Sequence, residues 1–291
     1  MGRSSDPFIK VHWEAERLLQ ELGVEAFPID PFDIARRLEI ELRPLPASAG
    51  GASGMLLHVS GQFGICYPIH VNSDGFKNFS VAHEIGHYRL PGHLDAIFDD
   101  RGQHVSHAGF RSVDRYEQEA DQFAASLLMP TTLFTKATKK AGEGLEAIES
   151  LARDCGTSLE ATAIRFAQIN RDPVVVIRSE GQIIDYAFMS GPLKDFPDLQ
   201  WIRKGSPLPA ECVTGAFNAD RKNIERTLRE AGHSNLRDWF EGPHSQEVVE
   251  EVIGLGSYGK TLTVLTGMEP PDEIEDDEEE IEESWTPRFR R

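Results

Sequence analysis

His83-Glu84-Ile85-Gly86-His87 is the stretch on which both the fold and the chemistry of this chain turn. On a helix, residues i and i+4 lie ~40° apart around the axis and ~6 Å apart along it, so two imidazoles leave one face and reach one metal ion. Glu84 follows the first histidine, within reach of a water on that metal. Zinc lowers the pKa of such a water toward ~7, and a neighbouring carboxylate takes its proton. Phe79, Val81 and Ala82 are the apolar back of the same helix, which the spacing predicts over residues 76–89.

A zinc site needs a third protein ligand, and two segments offer one. His93 stands eleventh counting from His83, the third-ligand place in H-E-x-x-H-x-x-G-x-x-H proteases. Here the turn glycine of that motif is replaced by Leu90 and a glycine comes late, at Gly92, which leaves His93 poorly aimed and reads as a surface histidine at the helix exit. The second segment is Tyr116-Glu117-Gln118-Glu119-Ala120-Asp121-Gln122-Phe123-Ala124, part of a helix predicted over 113–128. Glu117 and Asp121 share a face; one can bind the metal while the other accepts the free N–H of a ligating histidine and fixes its tautomer. Glu119 is the alternative carboxylate, expected to point into solvent. Cys66 lies on a strand near the site, where a thiolate in the fourth zinc position and a buried structural thiol both fit. Tyr88, His104, His107 and Tyr116 are the available donors for an oxyanion, and each equally fits a structural or surface role.

Outward from this centre the patterning alternates. Asp6-Pro7 and Asp30-Pro31 open short helices, with proline at the first helical position. Residues 55–58 and 63–71 read as a hairpin around Ser60-Gly61, and Pro91 to Ser112 reads as a loop. Met129-Pro130 closes the second long helix. Two short helices follow, joined at Cys155-Gly156-Thr157-Ser158, a spacing that fits a helix-turn-helix or a plain helical hairpin. From Asp172-Pro173 the period changes to strands, with Ile224 and Leu228 on a helix and a last strand over 260–265.

The helix of His83 and His87, a variable loop, and then Glu117 to Pro130 as E-x-x-A-D-x-F-A-x-x-L-L-M-P resemble the ImmA/IrrE family of metallopeptidases. Pro28-Ile29-Asp30-Pro31-Phe32-Asp33-Ile34-Ala35 and Val71-Asn72 are similar to that family's other motifs, so the likeness spans about residues 8–168. It implies an α+β chain with a zincin-like metallopeptidase domain over 1–140 and a helix-turn-helix-like extension over 141–171. It also implies a mixed α/β, GAF-like sensor or regulatory domain over 172–268, whereas the acidic block over 269–291, read from its charge as a disordered tail, is not part of the family pattern. It further implies Zn2+ held by His83, His87 and Glu117, Glu84 as general base, and Asp121 behind a ligand. The substrate would be a helix-turn-helix repressor whose cleavage derepresses a stress, phage-defence or mobile-element operon, with single-stranded DNA as a possible activator.

Charge and composition bound the rest. The net charge is −18, and residues 269–291 alone hold 11 acidic and 3 basic groups, a block that repels itself and buries little. Global acidity excludes a chain-wide duplex-DNA footprint but not a local one. Two basic clusters stand out, Lys136, Lys139 and Lys140 on one helix and Arg221, Lys222, Arg226 and Arg229 on another. Three cysteines suit a reducing compartment. No run of ~18 apolar residues and no secretory leader is found, so a cytoplasmic protein without a membrane partner is expected. Two rivals remain. One is a non-catalytic, zinc-containing regulator binding DNA through residues 145–168, although 158–170 carries Glu160 and a single arginine, Arg165. The other is a zinc aminopeptidase or similar small-peptide hydrolase.

Overall fold

The computed structural model describes residues 8–45, 49–71, 73–107, 114–196, 198–242 and 245–269. Helices α1 (Ile9–Glu21) and α2 (Pro31–Arg37) lead into strands β1 (Glu41–Pro44), β2 (Ala52–Val59) and β3 (Gln62–Tyr67). Then come α3 (Asp74–Arg89), α4 (His93–Ile97), β4 (Gln103–His107) and α5 (Arg115–Leu128). Three helices continue, α6 (Thr131–Ala141), α7 (Gly144–Cys155) and α8 (Leu159–Ile169). The last third holds β5 (Val175–Glu180), β6 (Ile183–Met189), α9 (Val213–Ala219), α10 (Arg221–Glu225), β7 (Arg229–Asn235), α11 (Leu236–Trp239), β8 (Glu247–Gly254) and β9 (Thr261–Thr266). The class is mixed α and β with two sheets, ordered β1-β3-β2-β4 and β6-β5-β9-β8-β7. Among the described helices none is long and apolar enough to cross a membrane.

The first sheet pairs β1 with β3 in parallel and sets β2 antiparallel to β3 and to β4. Ser60 and Gly61 make the β2–β3 turn with φ of 55° and 80°, the left-handed geometry a two-residue hairpin requires. Helix α3 starts where the Ser73 hydroxyl accepts from the Phe76 N–H at 3.3 Å, a side-chain cap on an otherwise orphaned donor. It stops at Leu90, which is extended as a residue before proline must be. Asp114 caps α5 by accepting from the Tyr116 N–H at 2.8 Å. The two helices pack closely because Gly86 faces Phe123, where an added Cβ would lie only 3.1 Å from the ring.

Two expectations change here. The segment from Pro91 to Ser112 is not all loop: it contains α4 and the edge strand β4, while residues 108–113 lie outside the described set. The strand is polar, Gln103-His104-Val105-Ser106-His107, and is held by backbone pairing to β2 rather than by an apolar face. The second basic cluster is not one helix either. Arg221 and Lys222 are on α10, Arg226 follows it, and Arg229 opens β7. The start at Asp6-Pro7 and the tail beyond Glu269 are outside the described residues.

The α7–α8 pair turns at Gly156, with φ of 63°, and Ser158 caps α8. Its second helix is buried along Thr162, Ala163, Arg165, Phe166 and Ala167. Arg165 donates to the Met129 carbonyl at 3.1 Å and to the Thr131 hydroxyl at 3.0 Å, so the segment's one arginine faces the protein interior. The buried apolar core runs without a break from α1, α3 and α5 through α7 and α8 to Val176, Ile253, Leu262 and Val264 of the second sheet. The opposite face of that sheet, including Val175, Ile177 and Leu265, packs on Leu236, Trp239 and Phe240, the alternation expected of strands buried on both sides.

Candidate metal centre

Helices α3 and α5 bring together the residues that could hold a metal. His83, His87 and Glu117 each offer one ligand atom, and these lie within 4.8 Å of one another, the group of this kind found among the described residues. The Nε2 atoms of His83 and His87 face each other at 3.0 Å. Each lies 3.4 Å from a different oxygen of Glu117. His83 Nδ1 donates to Asp121 Oδ1 at 2.9 Å, which directs the Nε2 of a neutral His83 inward as a lone pair. Two facing imidazole nitrogens need a proton or a cation between them, and the part-buried Glu117 carboxylate beside them favours either. This donor set of two imidazoles and a carboxylate fits a tetrahedral zinc site with one open position.

Electrostatics agree. Burial opposes charge on His83, but the Asp121 and Glu117 carboxylates outweigh it and raise its pKa to about 10. His87 is lowered to about 3, first by burial and then, against the pull of Glu117, by the charge of His83. Burial pushes Glu117 up, yet the nearby His104, His83 and His87 rings win and hold it well below the usual carboxylate range.

Residues 35–167 match the peptidase family described as the IrrE N-terminal-like domain. This segment belongs to that family. A solved structure described as a Mycobacterium tuberculosis transcriptional regulator shares the fold, with a TM-score of 0.57 at 16% identity, over 88% of this chain and 75% of that one. A search of curated proteins finds no match.

Within the IrrE-like domain, Glu84 is wholly buried, and neither of its carboxylate oxygens has a hydrogen-bond partner among the described residues. Burial raises its pKa, while the nearby histidines and Ser106 pull it down. Gly54 on β2 makes room for it: an added Cβ there would lie 2.2 Å from Glu84 Oε1. Glycine at 54 and serine at 106 escape a sequence reading, because only the β2–β4 pairing sets them opposite each other. A cleft of about 590 Å³ opens from His83, Glu84 and Asp121, passes the α7–α8 turn, and reaches Arg178, Tyr258 and Lys260 of the second sheet and its 3₁₀ turn. That far wall carries no local sequence signal, being joined to the centre only by the fold.

His93 and Glu119 are placed differently from either expectation. His93 is not at the surface. The Pro91-Gly92 turn, with φ of 81° at Gly92, returns the chain so that His93 is fully buried behind His87. Its Nδ1 faces His87 Nδ1 at 3.0 Å and its Nε2 faces Glu119 Oε2 at 3.1 Å. One nitrogen thus meets the back of the His87 ring and the other Glu119, so neither points to where His83 Nε2, His87 Nε2 and Glu117 converge. Glu119 is not freely solvated: Arg115 Nε donates to it at 2.7 Å.

The remaining candidates divide. His104, on β4, lies 2.9 Å from Glu117 Oε1 without being aligned to donate to it. His107, further along the strand, lines the cleft. Tyr88 instead packs edge-on against Phe63, and Tyr116 against the His93 ring. Cys66 is buried with Leu45 and Ala52, outside the ligand group. Burial and the charge of Glu84 raise its thiol pKa, which disfavours a thiolate ligand.

Proposed function

We propose that this chain is a zinc-dependent endopeptidase that cleaves a helix-turn-helix transcriptional repressor and so derepresses a stress, phage-defence or mobile-element operon. The observation that carries the reading is one juxtaposition. His83, His87 and Glu117 converge on a single point, and Glu84, buried and unpartnered, stands on the same helix at the floor of the cleft. His83 Nε2, His87 Nε2 and a Glu117 oxygen would hold the ion, and Asp121 keeps His83 oriented. Bound zinc would act as a Lewis acid that polarises a peptide carbonyl and lowers the pKa of water. Glu84 takes the proton of the attacking water and returns it to the departing amide nitrogen. A buried carboxyl with a raised pKa suits both halves of that transfer. His104 and His107, on the edge strand beside the centre, are the oxyanion donors this reading assigns. A cleft of about 590 Å³ that runs from the centre to the second sheet has room for several residues of a polypeptide, which favours an endopeptidase over an aminopeptidase.

Incubating the zinc-loaded protein with candidate repressors, and identifying fragments by mass spectrometry, tests the reading. Glu84→Gln should keep zinc and lose about 10²–10⁴-fold in cleavage rate. Cleavage at the wild-type rate by zinc-loaded Glu84→Gln would overturn the mechanism.

A further inference from the structure

The pair of buried His93 and half-buried Glu119 is not used by the chemistry above, and its geometry has a defined chemical consequence. An ionised carboxylate only accepts hydrogen bonds. Glu119 accepts from Arg115 Nε at 2.7 Å and meets His93 Nε2 at 3.1 Å, so Glu119 is the acceptor and His93 Nε2 the donor of that pair. A neutral imidazole with its proton on Nε2 has an acceptor at Nδ1. His93 Nδ1 lies 3.0 Å from His87 Nδ1, so His87 must supply the proton there. That leaves the lone pair of His87 on Nε2, the atom facing His83 Nε2 and Glu117.

We infer that Glu119 and His93 form a positioning relay that fixes the tautomer and ring orientation of His87, the counterpart of the direct Asp121–His83 contact. One ligand histidine is therefore set by a carboxylate, and the other by a carboxylate acting through a second histidine. The arrangement explains why a histidine is wholly buried beside another histidine, where an apolar side chain would fill the space without a desolvation penalty. It also explains the α4 entry: the tight turn at Pro91-Gly92 brings His93 back beneath the metal helix. The Tyr116 ring, edge-on at 5.0 Å, holds His93 from its other side.

The inference rests on the metal role of His83, His87 and Glu117, and the test separates the two. Zinc affinity of the full chain is measured by chelator competition, with the absorption spectrum of the cobalt-substituted protein as a second readout. His93→Phe, which keeps a ring but removes both nitrogens, should weaken zinc about 10–100-fold, the range for residues that orient ligands from outside. His93→Asn, whose side-chain carbonyl can accept in place of Nδ1, should recover part of that loss. Glu119→Gln keeps the shape of the site and should weaken zinc by about 10-fold. It carries the test if His93→Phe fails to fold. Nitrogen-15 spectra of the metal-free protein should show His87 protonated on Nδ1 in wild type and a mixture of tautomers in Glu119→Gln. Wild-type zinc affinity in both His93→Phe and Glu119→Gln overturns the relay. Failure of the wild-type chain itself to bind zinc overturns the metal role, and the relay with it.

Discussion

Gly54→Ala is the smallest change that separates holding a metal from using it. A Cβ at position 54 would stand 2.2 Å from Oε1 of Glu84, 3.1 Å from its Cδ and 3.2 Å from its Cγ. Carbon and oxygen atoms rest at roughly 3.2–3.5 Å, so the carboxylate must withdraw by about 1 Å. The atom it meets is the free end of a flexible side chain, and the fold should yield at the low end of overpacking, about 1 kcal/mol. The catalytic consequence is larger, because a misplacement of about 1 Å in a reacting group costs about 10²-fold in rate. That corresponds to about 2.7 kcal/mol on the barrier. No metal-ligand atom is among the three nearest contacts of the new methyl group, so zinc affinity should stay near the wild-type value. The assay is single-turnover cleavage of the repressor that the wild-type chain cuts, run beside zinc titration and thermal melting. If Gly54→Ala binds zinc and cleaves at about the wild-type rate, Glu84 is not the base or does not act from its observed position.

Two further outcomes follow from the charges. His83, raised from its ordinary 6.5 to about 10 in the metal-free chain, must lose a proton to become a ligand, whereas His87, lowered to about 3, and the ionised Glu117 need lose none. Zinc binding at pH 7.5 should therefore release about one proton, read from calorimetry in buffers of different ionisation enthalpy; release near zero or two contradicts the assignment. By the same linkage, protonated His83 stabilises the metal-free fold fully below pH 6.5, and that contribution fades as pH rises through about 10. Asp185 is paired with Lys260 at 2.9 Å and with Arg178, which also holds Glu160 of α8. Burial pushes its pKa up, but these cations hold it well below the usual carboxylate range, so the contribution is present above ~4 and is lost as pH falls through the lowered value. Asp185→Asn should destabilise the chain by about 1.5 kcal/mol, the low end for hydrogen bonds to charged groups, since the pair is part-buried and Glu160 still faces Arg178. A chemical melt unchanged at neutral pH would refute it.

What could be read in advance was whatever a single helix encodes in its own spacing. His83 and His87, and separately Glu117 and Asp121, are each one helical turn apart, and the structure sets the two faces against each other. The His93 position was not legible, since its aim depends on a two-residue turn and not on a period. Strand β4 escaped because an edge strand held by backbone pairing needs no apolar alternation. Gly54 and the far wall of the cleft depend on contacts between segments distant in sequence, for which no local pattern exists. A helical hairpin and a helix-turn-helix have the same spacing, so the sequence does not separate them, and the inward turn of Arg165 is set by contacts to Met129 and Thr131 far away in sequence.

The unbroken core between the first helices and the second sheet bears on how the chain comes apart. Phe166, Ala163, Leu145 and Ile148 share one buried cluster with Val176, Ile253, Leu262 and Val264. A cut near residue 171 would uncover both sides of that cluster at once, leaving each fragment with an apolar patch of the kind that drives aggregation. Heating should accordingly show one cooperative transition in which the metal site and the second sheet are lost together. Any ligand of that sheet would then raise the melting temperature of the metal centre without touching it.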